Sequence, residues 1–156
     1  MNETLLFLDT EFTGLTKTAD LISVGIVSFD GTELYLERKD YDRTALTDWV
    51  IENVIPFLSR DHELTALEIC NEINSFLAQY KNPVIIVDSQ WDITVLKKMF
   101  DQCSQQLAAK FRIIDVNHPR FINGYDNYLY SKTPHVAITD AHALRAGYRA
   151  RLGYYI

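Results

Sequence analysis

Thiols are scarce in this chain. Its 156 residues include two cysteines, Cys70 and Cys103, lying in or beside helical patterns and far apart in sequence. A disulfide framework or a zinc centre needs more thiols at tighter spacing, so both are read as reduced, structural side chains and the protein as cytoplasmic. Long apolar runs are missing too: no stretch approaches the roughly 20 residues of a membrane span. The Met1-Asn2-Glu3 start lacks the basic segment and cleavage site of a secretory leader. Internal repeats, low-complexity tracts and linkers are absent, which predicts one domain over residues 1–156. A basic excess is also lacking. Fifteen Lys and Arg stand against 21 Asp and Glu, a formal net charge of −6, which disfavours a broad nucleic-acid-binding face. What remains, 47% hydrophobic and 23% charged residues, is the composition of a globular chain long enough to bury a core without staples.

Periodicity places the elements. Residues 4–9, 21–29 (LISVGIVSF) and 32–37 (TELYLE) read as strands, the last two joined by an Asp30-Gly31 turn. Apolar residues at helical spacing predict a helix over 44–58, with Pro56 kinking or splitting it. A second helix runs from an Asp61 cap to about Tyr80, with Leu64, Leu67, Ile69, Ile73, Phe76, Leu77 and Tyr80 as its stripe. A short, fully apolar strand at 84–87 sits inside the sheet. A helix at 92–103, a strand at 111–116 and a final helix from Val136 to about Leu152 follow. Residues 117–134, with Pro119, Gly124 and Pro134 amid aromatics, read as an irregular loop. The pattern predicts an α/β fold, a mixed five-stranded sheet flanked by helices, with its ligand site at the C-terminal ends of the parallel strands.

Three stretches put acids at such ends. In LFLDTEFTG, Asp9 and Glu11 end an apolar strand and share one face; their like charges repel and need something between them. In VDSQWDITVL, Asp88 and Asp92 follow the central strand, and in HVAITDAHAL, His135 and Asp140 flank the start of the last helix. The last pair converges only if His135 sits on the turn before the helix, which Pro134 favours. Taken singly, each has a plain reading: a turn acid and a solvated glutamate, a helix N-terminal acid, a surface histidine. Three together do not. Asp88 is a rival to Asp92, read as a cap or a supporting group. Lys97 and Lys98 read as a solvated helix face. Phe121, Tyr125, Tyr128 and Tyr130, with Arg120 and Lys132, form either a stacking lid over a single strand or ordinary core and edge aromatics. The RLGYYI tail suits a partner surface, such as a homodimer, or packing on its own domain.

These stretches resemble the DEDDh 3′–5′ exonuclease superfamily, which includes proofreading exonucleases, oligoribonuclease and RNase T. The Asp9-Thr10-Glu11 motif with Thr13-Gly14-Leu15, the Trp91-Asp92 pair with Leu96, and His135-x4-Asp140 with Ala137 and Ala141 occur in the family's order. The resemblance implies an RNase H-like fold and two divalent cations, Mg²⁺ or Mn²⁺, roughly 4 Å apart. Asp9 would bridge them, Glu11 and Asp140 would complete one site, Asp92 would hold the other, and His135 would be the general base. Phe12, Thr13, Gly14 and Leu15 would meet the terminal nucleotide. The implied substrate is the 3′ end of single-stranded RNA, or of DNA. Two divalent cations would take the formal charge from −6 to about −2, and a short 3′ end needs only a few phosphate contacts. The alternative is a catalytically inactive nuclease-fold module that binds nucleotides or a protein.

Overall fold

Strand β1, Thr4–Phe12, is the axis of the molecule. Its Leu6, Phe7 and Leu8 are fully buried because both faces of the sheet are covered. The computed structural model describes residues 2–154; Met1 and the Tyr155-Ile156 end of the RLGYYI tail lie outside them. Strands β2 (Leu21–Ser28) and β3 (Glu33–Arg38) continue from β1 as an antiparallel meander. Strands β5 (Pro83–Val87) and β6 (Lys110–Ile113) run parallel to β1 on its other side. A two-residue β4, Glu63–Leu64, pairs with β3. The mixed sheet has the order β4-β3-β2-β1-β5-β6, so the expected five strands are present and the sixth is this short edge. The arrangement is consistent with an RNase H-like fold.

Five helices flank the sheet: α1 (Asp48–Asn53), α2 (Ala66–Leu77), α3 (Gln90–Gln102), α4 (Pro119–Leu129) and α5 (Ala137–Arg151). Alternate side chains along β1 and β5 sort them onto two faces. Leu6, Leu8, Ile85 and Val87 pack with Ile69, Ile73 and Leu96 of α2 and α3. Phe7, Val84 and Ile86 pack with Phe121 and Leu144 of α4 and α5. Each such side chain taken out of water is worth about 2 kcal/mol. No helix of the described residues is long and apolar enough to cross a membrane. Both cysteines are free, Cys70 within the α2 core and Cys103 packed against it.

The structure corrects four sequence expectations. The helix over 44–58 is three short pieces: a 3-10 turn at Arg43–Ala45, α1, and a second 3-10 turn at Ile55–Phe57 that holds Pro56, which cannot continue an α-helix. Helix α2 starts at Ala66, not after Asp61, because Thr65 and Glu68 form a reciprocal capping box; Leu67 of the predicted stripe is exposed. Residues 119–129, read as loop, form α4. His118 caps it, Pro119 occupies the first turn where no N–H is needed, and Gly124 lets α4 approach Ala146, Gly147 and Ala150 of α5 too closely for any side chain. Lys98 is no solvated side chain: its Nζ donates to Thr18 O (2.6 Å), Ala19 O (3.1 Å) and Asp20 Oδ1 (2.8 Å).

Candidate active site

The pleat of β1 carries Asp9 and Glu11 to one end of the sheet, on the face that α5 covers. Thr10 points to the opposite face and meets α3. Its amide and hydroxyl both donate to Asp92 Oδ1, at 3.1 and 2.7 Å, which fixes the first turn of α3 against β1. Asp92 is 3% exposed. It does not cap α3. That task falls to Ser89, whose side chain accepts from Trp91 N (3.1 Å), while Asp88 is the first residue after β5.

Helix α5 reaches the site because Gly25, paired with Asp9 across β1 and β2, has no side chain. A Cβ there would lie 2.5 Å from the backbone of Ile138, so the first turn of α5 rests directly on the sheet. Just before it, His135 adopts a left-handed backbone, φ +60°, and its amide donates to Asp140 Oδ2 (2.9 Å). This tight turn, following Pro134, draws the i, i+5 pair together. The His135 ring also packs edge-on against Trp49 of α1, centroids 4.8 Å apart.

Two groups of potential metal ligands result: Glu11, His135 and Asp140 in one, Asp9, Asp88 and Asp92 in the other, each with one ligand atom per residue mutually within 4.8 Å. Among the described residues no Lys, Arg or His forms an ion pair with these five carboxylates. Asp9 Oδ2 and Asp140 Oδ1 are buried without a hydrogen-bond partner. Burial, then neighbouring acids, pushes Glu11 up to about 8 and holds Asp9 well above its usual value. Burial likewise raises Asp92 to about 7, against the pull of its Thr10 hydrogen bonds, and Asp140 to about 6, against that of its bond from His135. Buried, uncompensated oxygens are what a hard divalent cation takes as ligands, so the residues present fit Mg²⁺ or Mn²⁺.

A cavity of about 680 Å³ opens over Asp9, Glu11, His135 and Asp140. Phe12, Gly14 and Leu15 line it; Thr13 does not. Thr13 is fully buried, and its hydroxyl accepts from Asp20 N (3.0 Å) while its amide donates to Asp20 O (3.0 Å). Asp20 is in turn gripped by Lys98, so Thr13 and Lys98 hold the loop whose tip presents Leu15, 71% exposed. Opposite stand Thr47, Trp49 and Val50 of α1 and Tyr125 of α4. Sequence reasoning missed the α1 contribution, because Trp49 falls at the helical spacing of the apolar residues in 44–58, a position that ordinarily faces a core; it is 50% exposed. The other aromatics of 117–134 do not line the cavity: Phe121 is core, Tyr128 stacks on His142, and Tyr130 is exposed.

No family model matches the chain. It is similar to two curated proteins of Mycobacterium tuberculosis, from strains CDC 1551 and H37Rv, each named a 3′-5′ exoribonuclease. Each is 40% identical over 52 residues, 33% of this chain and 31% of the relative, so the match spans about a third of their length.

Proposed function

We propose that this protein is a metal-dependent 3′–5′ exonuclease that removes nucleotides from the 3′ end of single-stranded nucleic acid, RNA in preference to DNA. The observation that carries the reading is the convergence of Asp9, Glu11, His135 and Asp140 on one cavity, with Asp92 within ligand distance of Asp9 beside it. The partial likeness to proteins named exoribonucleases supports it and supplies the preference for RNA.

Each residue has a task in this reading. Glu11 and Asp140 would hold one cation and Asp92 the other, with Asp9 between them. Bound there, divalent cations would offset the charge that develops on the attacking and leaving oxygens of the phosphodiester. His135 would take the proton of the attacking water. Its ring is oriented by Trp49 and its backbone by Asp140, and an imidazole nitrogen is an apt proton acceptor for a general base. Phe12 and Leu15 would pack on the terminal base, while the missing side chain at Gly14 makes room for Thr47, whose Cγ2 lies 2.8 Å from where a Cβ would stand. Thr10 would keep Asp92 aimed at the cation by occupying its other oxygen.

The test uses 5′-labelled single-stranded RNA and DNA of one sequence with Mg²⁺ or Mn²⁺, beside Asp9→Asn and His135→Ala. A ladder shortening from the 3′ end, faster on RNA and lost in both variants and in chelator, is expected. Equal or faster digestion of DNA removes the RNA preference. No cleavage of either strand under any metal overturns the reading in favour of a binding module.

A further inference from the structure

We infer that Asp88 is a ligand of the cation held by Asp9 and Asp92, so that the centre is built from five carboxylates and not from the four of the sequence motifs. The inference rests on the metal-dependent reading above and adds a residue to it.

The backbone makes the first argument. Strands β1 and β5 are parallel, with Phe7 beside Ile86. Asp9 lies two residues further along β1, and Asp88 is the first residue beyond the end of β5. The two strands run parallel and side by side, so both carboxylates stand at the same end of the sheet.

Side chains make the second. One oxygen each of Asp9, Asp88 and Asp92 lie mutually within 4.8 Å. The local task an acid at this point of the chain normally performs is already taken, because Ser89 caps α3. No cation of the described chain pairs with Asp88. Beside it, Asp9 Oδ2 is shut off from water with no partner, and Asp92, 3% exposed, has Oδ1 occupied by Thr10. Three acids at this spacing repel unless a positive charge sits among them. Asp88 is the exposed member of the group, so it can reach a cation from the solvent side while Asp9 and Asp92 hold it from within.

The distinguishing signature is a reversal of sign. As a ligand, Asp88 destabilises the metal-free protein by repulsion and stabilises the loaded one; as a structural side chain, it would stabilise both. Calorimetric titration of wild type, D88N and D92N with Mn²⁺, together with thermal melts in chelator and in saturating Mn²⁺, tests this. Wild type is expected to bind two ions. In D88N one of the two should weaken tenfold or more, the scale on which groups around a metal contribute to affinity, and D92N should weaken the same one. D88N should melt at or above wild type in chelator and gain less from Mn²⁺. Unchanged affinities in D88N, with two ions bound to wild type, overturn this inference and leave the exonuclease reading intact, as does a lower melting point in chelator. A wild type that binds no Mn²⁺ overturns both.

Discussion

Trp49 meets His135 edge-on, with ring planes at 80° and centroids 4.8 Å apart. His135 occupies a left-handed backbone conformation, which is costly for a residue with a side chain, and its amide is held by a hydrogen bond to Asp140. The ring is therefore aimed by a neighbour on another helix. His135→Ala should lower kcat about 10²- to 10⁴-fold, the range for loss of a general base. Trp49→Ala should lower it about tenfold and Trp49→Phe much less. Single-turnover cleavage of a labelled oligoribonucleotide measures all three, and equal loss in both Trp49 variants would exclude an orienting role.

Asp9 belongs to one ligand group and feels the charges of Glu11 and Asp140 in the other, so removing its charge should affect both. Asp9→Asn should lower kcat at least about 10³-fold, since in the proposed reaction bound cations would supply several kcal/mol of transition-state stabilisation. The same variant should raise the melting temperature in chelator, because Asp92 and Glu11 repel the native carboxylate. Melts and rate measurements on one preparation check the pair of opposite effects.

Metal-free stability should fall as pH rises. Glu11, Asp92 and Asp140 titrate in the fold near 8, 7 and 6, above the ordinary carboxylate range of about 4. The folded state thus holds protons that the unfolded chain has released. Their contribution is complete below about pH 4 and is lost as pH climbs through the folded values. Melting temperature in chelator should decline between about pH 5 and 8. Saturating Mn²⁺ should flatten or reverse the decline, since it binds the deprotonated groups. A melting temperature that rises over this range without metal would contradict the burial of the acids.

Gly25→Ala should damage the site from behind. The added Cβ would meet Ile138 N and Cα at 2.5 Å and Ala137 C at 2.6 Å. These are backbone atoms, so α5 must lift from the sheet. The expected cost is about 1–3 kcal/mol of stability, with a fall in activity as Asp140 and His135 move away from Asp9. Urea unfolding and the cleavage assay measure the two losses.

Much of this arrangement was legible because the relevant signals are local and periodic. The apolar runs of β1, β2 and β5 and the stripes of α2 and α3 have a single reading once both sheet faces are covered. The acids stand out because charges at the ends of buried strands are rare. The remainder depended on contacts between segments. Helix α4 was hidden because proline, glycine and asparagine ordinarily mark loops, whereas Pro119 begins a helix and Gly124 packs against α5. Trp49 fits a helical stripe, and only the brevity of α1 turns it outward. Lys98 looks like any exposed lysine until the 13–20 loop folds beneath it. Asp88 was visible as a charge, but its place near Asp9 and Asp92 depends on how β1, β5 and α3 come together, which no single segment contains.

The hydrogen bonds from Thr10 to Asp92 join residues 82 positions apart. Closing so long a loop comes late in assembly, since its entropy is spent before the contact rewards it. The acids therefore remain dispersed while the chain collapses and crowd together only as the native sheet is completed. Their repulsion acts on the finished structure and hardly on the route to it. Relief of that repulsion by bound cations would accordingly slow unfolding and leave the folding rate nearly unchanged: the gain would be in the lifetime of the native molecule, not in the speed at which it forms.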